Sequence, residues 1–126
     1  MSKKIINSAM APAPIGPYSH AVQIGNLLYT SGQVALDAST GNLIMSDIHA
    51  ETHQVMKNLQ AILEEAGTDF SKGIKTSIFL KNMDDFGAVN EVYASYFSGN
   101  YPARETVQVA KLPRDVNVEI SMIVEI

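Results

Sequence analysis

The chain's only two arginines, Arg104 and Arg114, both lie in the stretch YPARETVQVAKLPRDVNVEI, residues 101–120, which also holds Glu119. A guanidinium is a planar fork of donors that grips a carboxylate through two parallel bonds and keeps its charge at any physiological pH. Arg104 follows Pro102-Ala103 and begins a strand whose neighbour carries Glu119. Glu119 is a candidate general base or water-holder if part of it is withdrawn from solvent. The bland alternative is a surface ion pair of Arg104 with Glu119, Glu105 or Asp115, worth about 0–1 kcal/mol.

Other side chains carry weaker signals. Arg114 sits in LPRD, a turn between the last two strands, where a solvated charge is expected. Tyr18 of GPYSH either donates a phenolic hydrogen bond into a pocket or anchors packing beside the prolines, and His20 next to it reads as a structural or surface histidine. His49 and His53 have the four-residue spacing of a helical metal pair, but neither a cysteine nor the HExxH pattern accompanies them, so no metal is expected. Asn90 lies near the apolar stripe of a helix, facing either a strand or ligand, or solvent. GxGxxG, P-loop and GxSxG motifs are absent, as is cysteine. A nucleotide cofactor or a covalent nucleophile would have to work without its usual marks.

These residues need elements to position them. APAPIGPYS, residues 11–19, has three prolines and a glycine and is therefore an extended, turning segment. AVQIGNLLYTSGQVAL reads as two strands with a tight turn at Gly25-Asn26 and an interruption at Ser31-Gly32. Next come a turn at DASTGN and a short strand at 43–45. Asp47 then caps a helix to about Ala66, with Val55, Met56, Leu59, Ile62 and Leu63 at helical spacing and Gly67 ending it. Residues 73–81 form a strand with Ile74, Ile78 and Leu80 on one face and Lys75, Ser77 and Lys81 on the other. Capping groups at 82–85 open a second helix reaching about Ser98, with Phe86, Val89, Tyr93 and Phe97 as its buried stripe. Strands at 104–112 and 116–126 close an α+β fold of order β-β-β-α-β-α-β-β, with one mixed sheet and two helices.

The last strand puts Val116, Val118, Ile120, Met122, Val124 and Ile126 on one face, and Asn117, Glu119, Ser121, Ile123 and Glu125 on the other. Two helices cover only one face of such a sheet. The second face is half apolar, so burial against another copy is expected, and with it a homo-oligomer.

Composition narrows the function class. A chain of 126 residues has one domain's length. No apolar run approaches the roughly 20 residues that span a bilayer, no signal-peptide h-region follows the N-terminal lysines, and a cytoplasmic home is expected. The net charge of −4 disfavours nucleic acid as a partner.

IGPYSHAVQIGNLLYTSGQV, EEAG, DDFGAVNEVYASYF and PARETVQVAKLPRDVNVEI together resemble the RidA/YjgF family of reactive intermediate deaminases, across essentially the whole chain. The resemblance implies a single RidA-like domain over residues 1–126. Its fold would be chorismate-mutase-like, about six strands in one mixed sheet with two helices on one face, assembled as a homotrimer with ligand sites between subunits. It also implies hydrolysis of 2-imino acids, such as 2-iminobutanoate and 2-iminopropanoate, to 2-oxo acids and ammonia, with no metal or organic cofactor. Carried over by position, Arg104 would bind the carboxylate and Glu119 would place the attacking water. Tyr18, Ser31, Gly32, Asn90 and Thr106 would line the substrate site. Thr106 stands where a cysteine is common, which bears on substrate range, and His20 stands where glutamine is frequent. Two rivals remain: a 2-oxo acid-binding regulatory module without turnover, and an endoribonuclease or translation inhibitor.

Overall fold

The computed structural model describes residues 2–126. Its six-stranded sheet is built from β1 (Lys4–Ile6), β2 (Ala21–Ile24), β3 (Leu27–Thr30), β4 (Gly73–Leu80), β5 (Ala103–Gln108) and β6 (Val118–Glu125). The spatial order is β1-β2-β3-β6-β4-β5, and only the β4–β5 pair is parallel. A parallel pair needs a crossover. That crossover carries α2 (Phe86–Ala94), which lies beside α1 (Ile48–Glu65).

α1 forms as its sequence dictates. The Asp47 side chain accepts from Ala50 N at 2.8 Å, leaving one fewer orphan donor in the first turn. Val55, Met56, Leu59, Ile62 and Leu63 turn inward and are buried against the sheet, and Gly67 ends the helix at a left-handed φ of +81°. From the sheet, Leu28, Ile78, Leu80, Val118, Ile120, Met122 and Val124 complete the core. The opposite face, with Tyr29, Lys75, Ser77, Phe79, Ser121 and Ile123 only half-buried or exposed, has no helix over it.

Four expectations need correcting. The first strand of the order is β1, a three-residue edge that pairs with β2 and buries only Ile6, too short to show alternation. Residues 43–45 form no strand: Leu43 makes a single isolated bridge to Leu36, flanked by the bonds Asp37 N to Asn42 O and Ile44 N to Ala35 O, both at 2.8 Å. In β4 the buried set is Thr76, Ile78 and Leu80. The register slips between Gly73 and Lys75, and Ile74 is left 44% exposed. Finally, α2 stops at Ala94, after which Tyr96 N and Phe97 N make tighter turns onto Tyr93 O and Ala94 O.

Candidate functional site

Arg104 and Glu119 do not share a face of this sheet. β4 lies between β5 and β6, so the strand that begins at Arg104 is not a spatial neighbour of the one carrying Glu119. Arg104 pairs with Thr76, and Glu119 pairs with Phe79. Thr76 and Phe79 are an odd number of residues apart, so their partners project to opposite sides. Arg104 is on the helix-covered side and Glu119 is on the uncovered one. The sequence-predicted residues accordingly fall into two groups.

The first group surrounds Arg104. A cleft of about 510 Å³ is lined by Asn90, Tyr93, Ala94, Tyr101, Pro102 and Arg104. The guanidinium Nη1 donates to Asn90 Oδ1 at 2.7 Å, and Cζ lies 5.1 Å from the centre of the Tyr93 ring and 5.7 Å from that of Phe86. The ion pairs considered for Arg104 are not made. Glu105 pairs with Lys75 at 2.9 Å and Asp115 with Lys81 at 3.0 Å. Ser77 also donates to Glu105, and this bond followed by the Lys75 contact holds the Glu105 carboxyl below the usual range. Tyr93 is buried, which raises its phenol pKa against the opposing pull of a 2.9 Å hydrogen bond with Thr76 Oγ1 and of the Arg104 charge. Thr106 lies on the same strand but does not line the cleft; its Oγ1 is buried and has no partner among the described residues.

The second group surrounds Glu119. Pairing partners shift by one residue between Tyr29↔Ile123 and the isolated bridge Gln33↔Ile120, so the chain bulges at Ser31-Gly32. The bulge brings Gly32 over the Glu119 side chain: a Cβ at position 32 would stand 2.5 Å from Oε2. Ser31 N donates to His20 O at 2.8 Å and Ser31 Oγ to Ser19 O at 2.6 Å, which ties the proline-rich segment and Tyr18 to this side. Tyr18 itself is 47% exposed, and its hydroxyl accepts only a long 3.5 Å bond from Ile15 N. Burial pushes the Glu119 carboxyl above the usual range.

The remaining candidates have structural roles. His20 is buried, accepting from Ser8 N at Nδ1 (3.0 Å) with Nε2 against Pro12 O, and so fastens the N-terminal segment to the core. His53 Nδ1 meets Tyr96 Oη at 2.9 Å, whereas His49 stands 3.9 Å from Glu91. Arg114 is exposed in the Pro113–Asp115 turn at φ +58°. Sequence reasoning treated Phe86 and Tyr93 only as core and passed over Tyr101. The signal that could have found the first two is their spacing about Asn90, one turn of helix on either side.

With this geometry in hand, comparison with known proteins is decisive. The sequence profile described as "Endoribonuclease L-PSP" matches residues 8–126. The 2-iminobutanoate/2-iminopropanoate deaminase of Mus musculus is 50% identical over 121 residues, covering 96% of this chain and 90% of that protein. The chain belongs to the RidA/YjgF family. Among solved structures, the Rid-family protein YyfA of Yersinia pestis superposes with a TM-score of 0.96 at 44% identity, covering 99% of this chain and all of the other. E. coli TdcF with bound serine superposes with a TM-score of 0.93 at 37% identity, covering 98% of each chain. The RidA/YjgF sheet of six strands with two helices is therefore the fold seen here.

Proposed function

We propose that this chain hydrolyses small 2-imino acids to 2-oxo acids and ammonia, in the cytoplasm, as a homotrimer whose sites are completed between subunits. The observation that carries this reading is the pairing of an arginine whose fork is not consumed by any carboxylate with a half-buried glutamate of raised proton affinity. The 50% identity to the mouse deaminase supports the same chemistry. An imino acid presents a carboxylate and an electrophilic C=N carbon, so a site needs an anchor at one end and an oriented water at the other. In this mechanism Arg104 grips the carboxylate. Glu119 takes a proton from water as the O–C bond forms. That proton passes to nitrogen as the C=N π pair moves there, giving a carbinolamine. The hydroxyl proton then reaches nitrogen by way of Glu119, the C=O bond forms as the C–N bond breaks, and ammonia leaves the 2-oxo acid. No electrons leave the substrate, so the reading includes no redox cofactor, and it includes no metal.

The opposite-face placement of Arg104 and Glu119 is the reason for the trimer in this proposal. One chain cannot offer both groups to one small molecule, whereas a second copy packed on the uncovered sheet face brings its own half of the site. Tyr18, Ser31 and Gly32 then belong to the Glu119 half, and Asn90 to the Arg104 half. Thr106, which does not line the Arg104 cleft, has no part in this reading.

The test is to generate 2-iminobutyrate in situ with a threonine dehydratase and measure its decay with and without the protein. We expect acceleration that is severely reduced in Arg104→Lys, which keeps the charge but loses the planar fork. Glu119→Gln should lose turnover while 2-oxobutyrate binding by calorimetry survives. Decay at the buffer rate with 2-oxobutyrate still bound would turn the assignment to the regulatory module. RNA cleavage abolished by the same two substitutions would turn it to the nuclease for which the family profile is named.

A further inference from the structure

We propose that Phe86, Asn90 and Tyr93 form a cradle that sets the Arg104 guanidinium before any ligand arrives, with the two aromatic rings as positioning residues for the anchor. The three stand at i, i+4 and i+7 of the α2 stripe, so all reach β5 from one helix face. Their contacts divide the labour. Asn90 takes Nη1 at 2.7 Å, and the rings of Tyr93 and Phe86 lie within cation–π range at 5.1 and 5.7 Å. No other acceptor among the described residues meets the guanidinium, so its remaining donors stay available to a carboxylate in the cleft.

Tyr93 is itself locked. Its hydroxyl meets Thr76 Oγ1 at 2.9 Å, and Thr76 is the cross-strand partner of Arg104. The ring that holds the guanidinium is thus fastened to the strand beside the one carrying it. Holding a guanidinium in one orientation beforehand removes rotamer entropy that a ligand would otherwise have to overcome. A lysine at 104 could still donate to Asn90 and lie over a ring, but an ammonium has no planar fork for the cradle to orient toward a carboxylate.

The value of the cradle for carboxylate capture rests on the function proposed above; the ordering of Arg104 does not. The chain has two arginines, so guanidinium NMR of the ligand-free protein shows two sets of signals, which Arg114→Lys assigns. Arg104 is expected to show hindered rotation about Nε–Cζ and ring-current-shifted protons, and Arg114 free averaging. Phe86→Leu and Tyr93→Leu should release Arg104. Their 2-oxobutyrate dissociation constants should rise about threefold and roughly tenfold, and that of Tyr93→Phe, which keeps the ring but loses its fastening to Thr76, should rise less than that of Tyr93→Leu.

Tyr93 is buried and Phe86 is 39% exposed, so Phe86→Leu carries the test if Tyr93→Leu fails to fold. Free rotation of Arg104 in the wild type overturns the cradle. So does hindered rotation that survives both leucine variants, or released rotation with unchanged affinity. A wild type that shows hindered rotation but does not bind 2-oxobutyrate overturns the substrate assignment and supports the cradle.

Discussion

Glu119 has a consequence for stability as well as for chemistry. Burial favours its neutral form, so the folded-state pKa stands above the unfolded value of 4.5. A group raised in this way contributes its stability fully below the unfolded value and loses it as pH rises through the folded one. Glu119→Gln is neutral at every pH. The variant should therefore match the wild type in urea denaturation near pH 4 and be the more stable of the two near pH 7, with a gap that opens between them. A gap of equal size at both pH values would mean that the carboxylate is not desolvated. Arg104 and Glu119 stand out in the sequence because a guanidinium fork and a carboxylate lie close together in a stretch that otherwise reads as strand. Their separation was not legible, because it depends on β4 inserting between β5 and β6, a long-range pairing that local pattern does not encode.

Elements were legible in proportion to their length and caps. α1 carries Asp47, a full apolar stripe and Gly67, and is found almost to the residue. β1 has only three residues and no alternation, and exists because β2 accepts it. One contact between elements went unseen. Glu51 is fully buried in the first turn of α1, where its two oxygens accept from Asn117 N at 2.8 Å and Asn117 Nδ2 at 2.7 Å, just before β6 begins. Both carboxylate oxygens are needed, because both partners are donors. Glu51→Gln keeps the shape but turns an NH₂ toward one of them, so it should cost about 1–3 kcal/mol in urea denaturation. A loss below a few tenths would mean that water satisfies Asn117 instead.

At the scale of the whole molecule, the proposed trimer makes each site a joint product of two chains, one giving Arg104 and the next Glu119. Arg104→Lys and Glu119→Gln trimers should each be nearly inactive. Unfolded together in equal amounts and refolded, they should regain activity, since about a quarter of the sites then draw both functional groups from intact halves. The recovery should appear in the imine assay and be absent when the two proteins are mixed without subunit exchange. No recovery after exchange verified by mass spectrometry would place both groups in one chain's site, against the face assignment given by the register. The uncovered sheet face was legible from the alternation in β6, whereas the projection of Arg104 and Glu119 to opposite sides of the sheet was not.

The Gly32–Glu119 approach has a genetic reading. All other amino acids share a Cβ, and it is that first atom, not the size or polarity of the rest of the side chain, that would stand 2.5 Å from the carboxylate oxygen. Alanine is no gentler there than serine or aspartate at the point of contact. Gly87, by contrast, has open space where its Cβ would be, and at Gly73 the nearest atom is the flexible end of Met122. Any missense change in the codon for Gly32 therefore meets the same obstacle. The chain carries in this one position a site whose every replacement must turn the Glu119 side chain aside, so drift from glycine cannot leave the carboxylate where it stands.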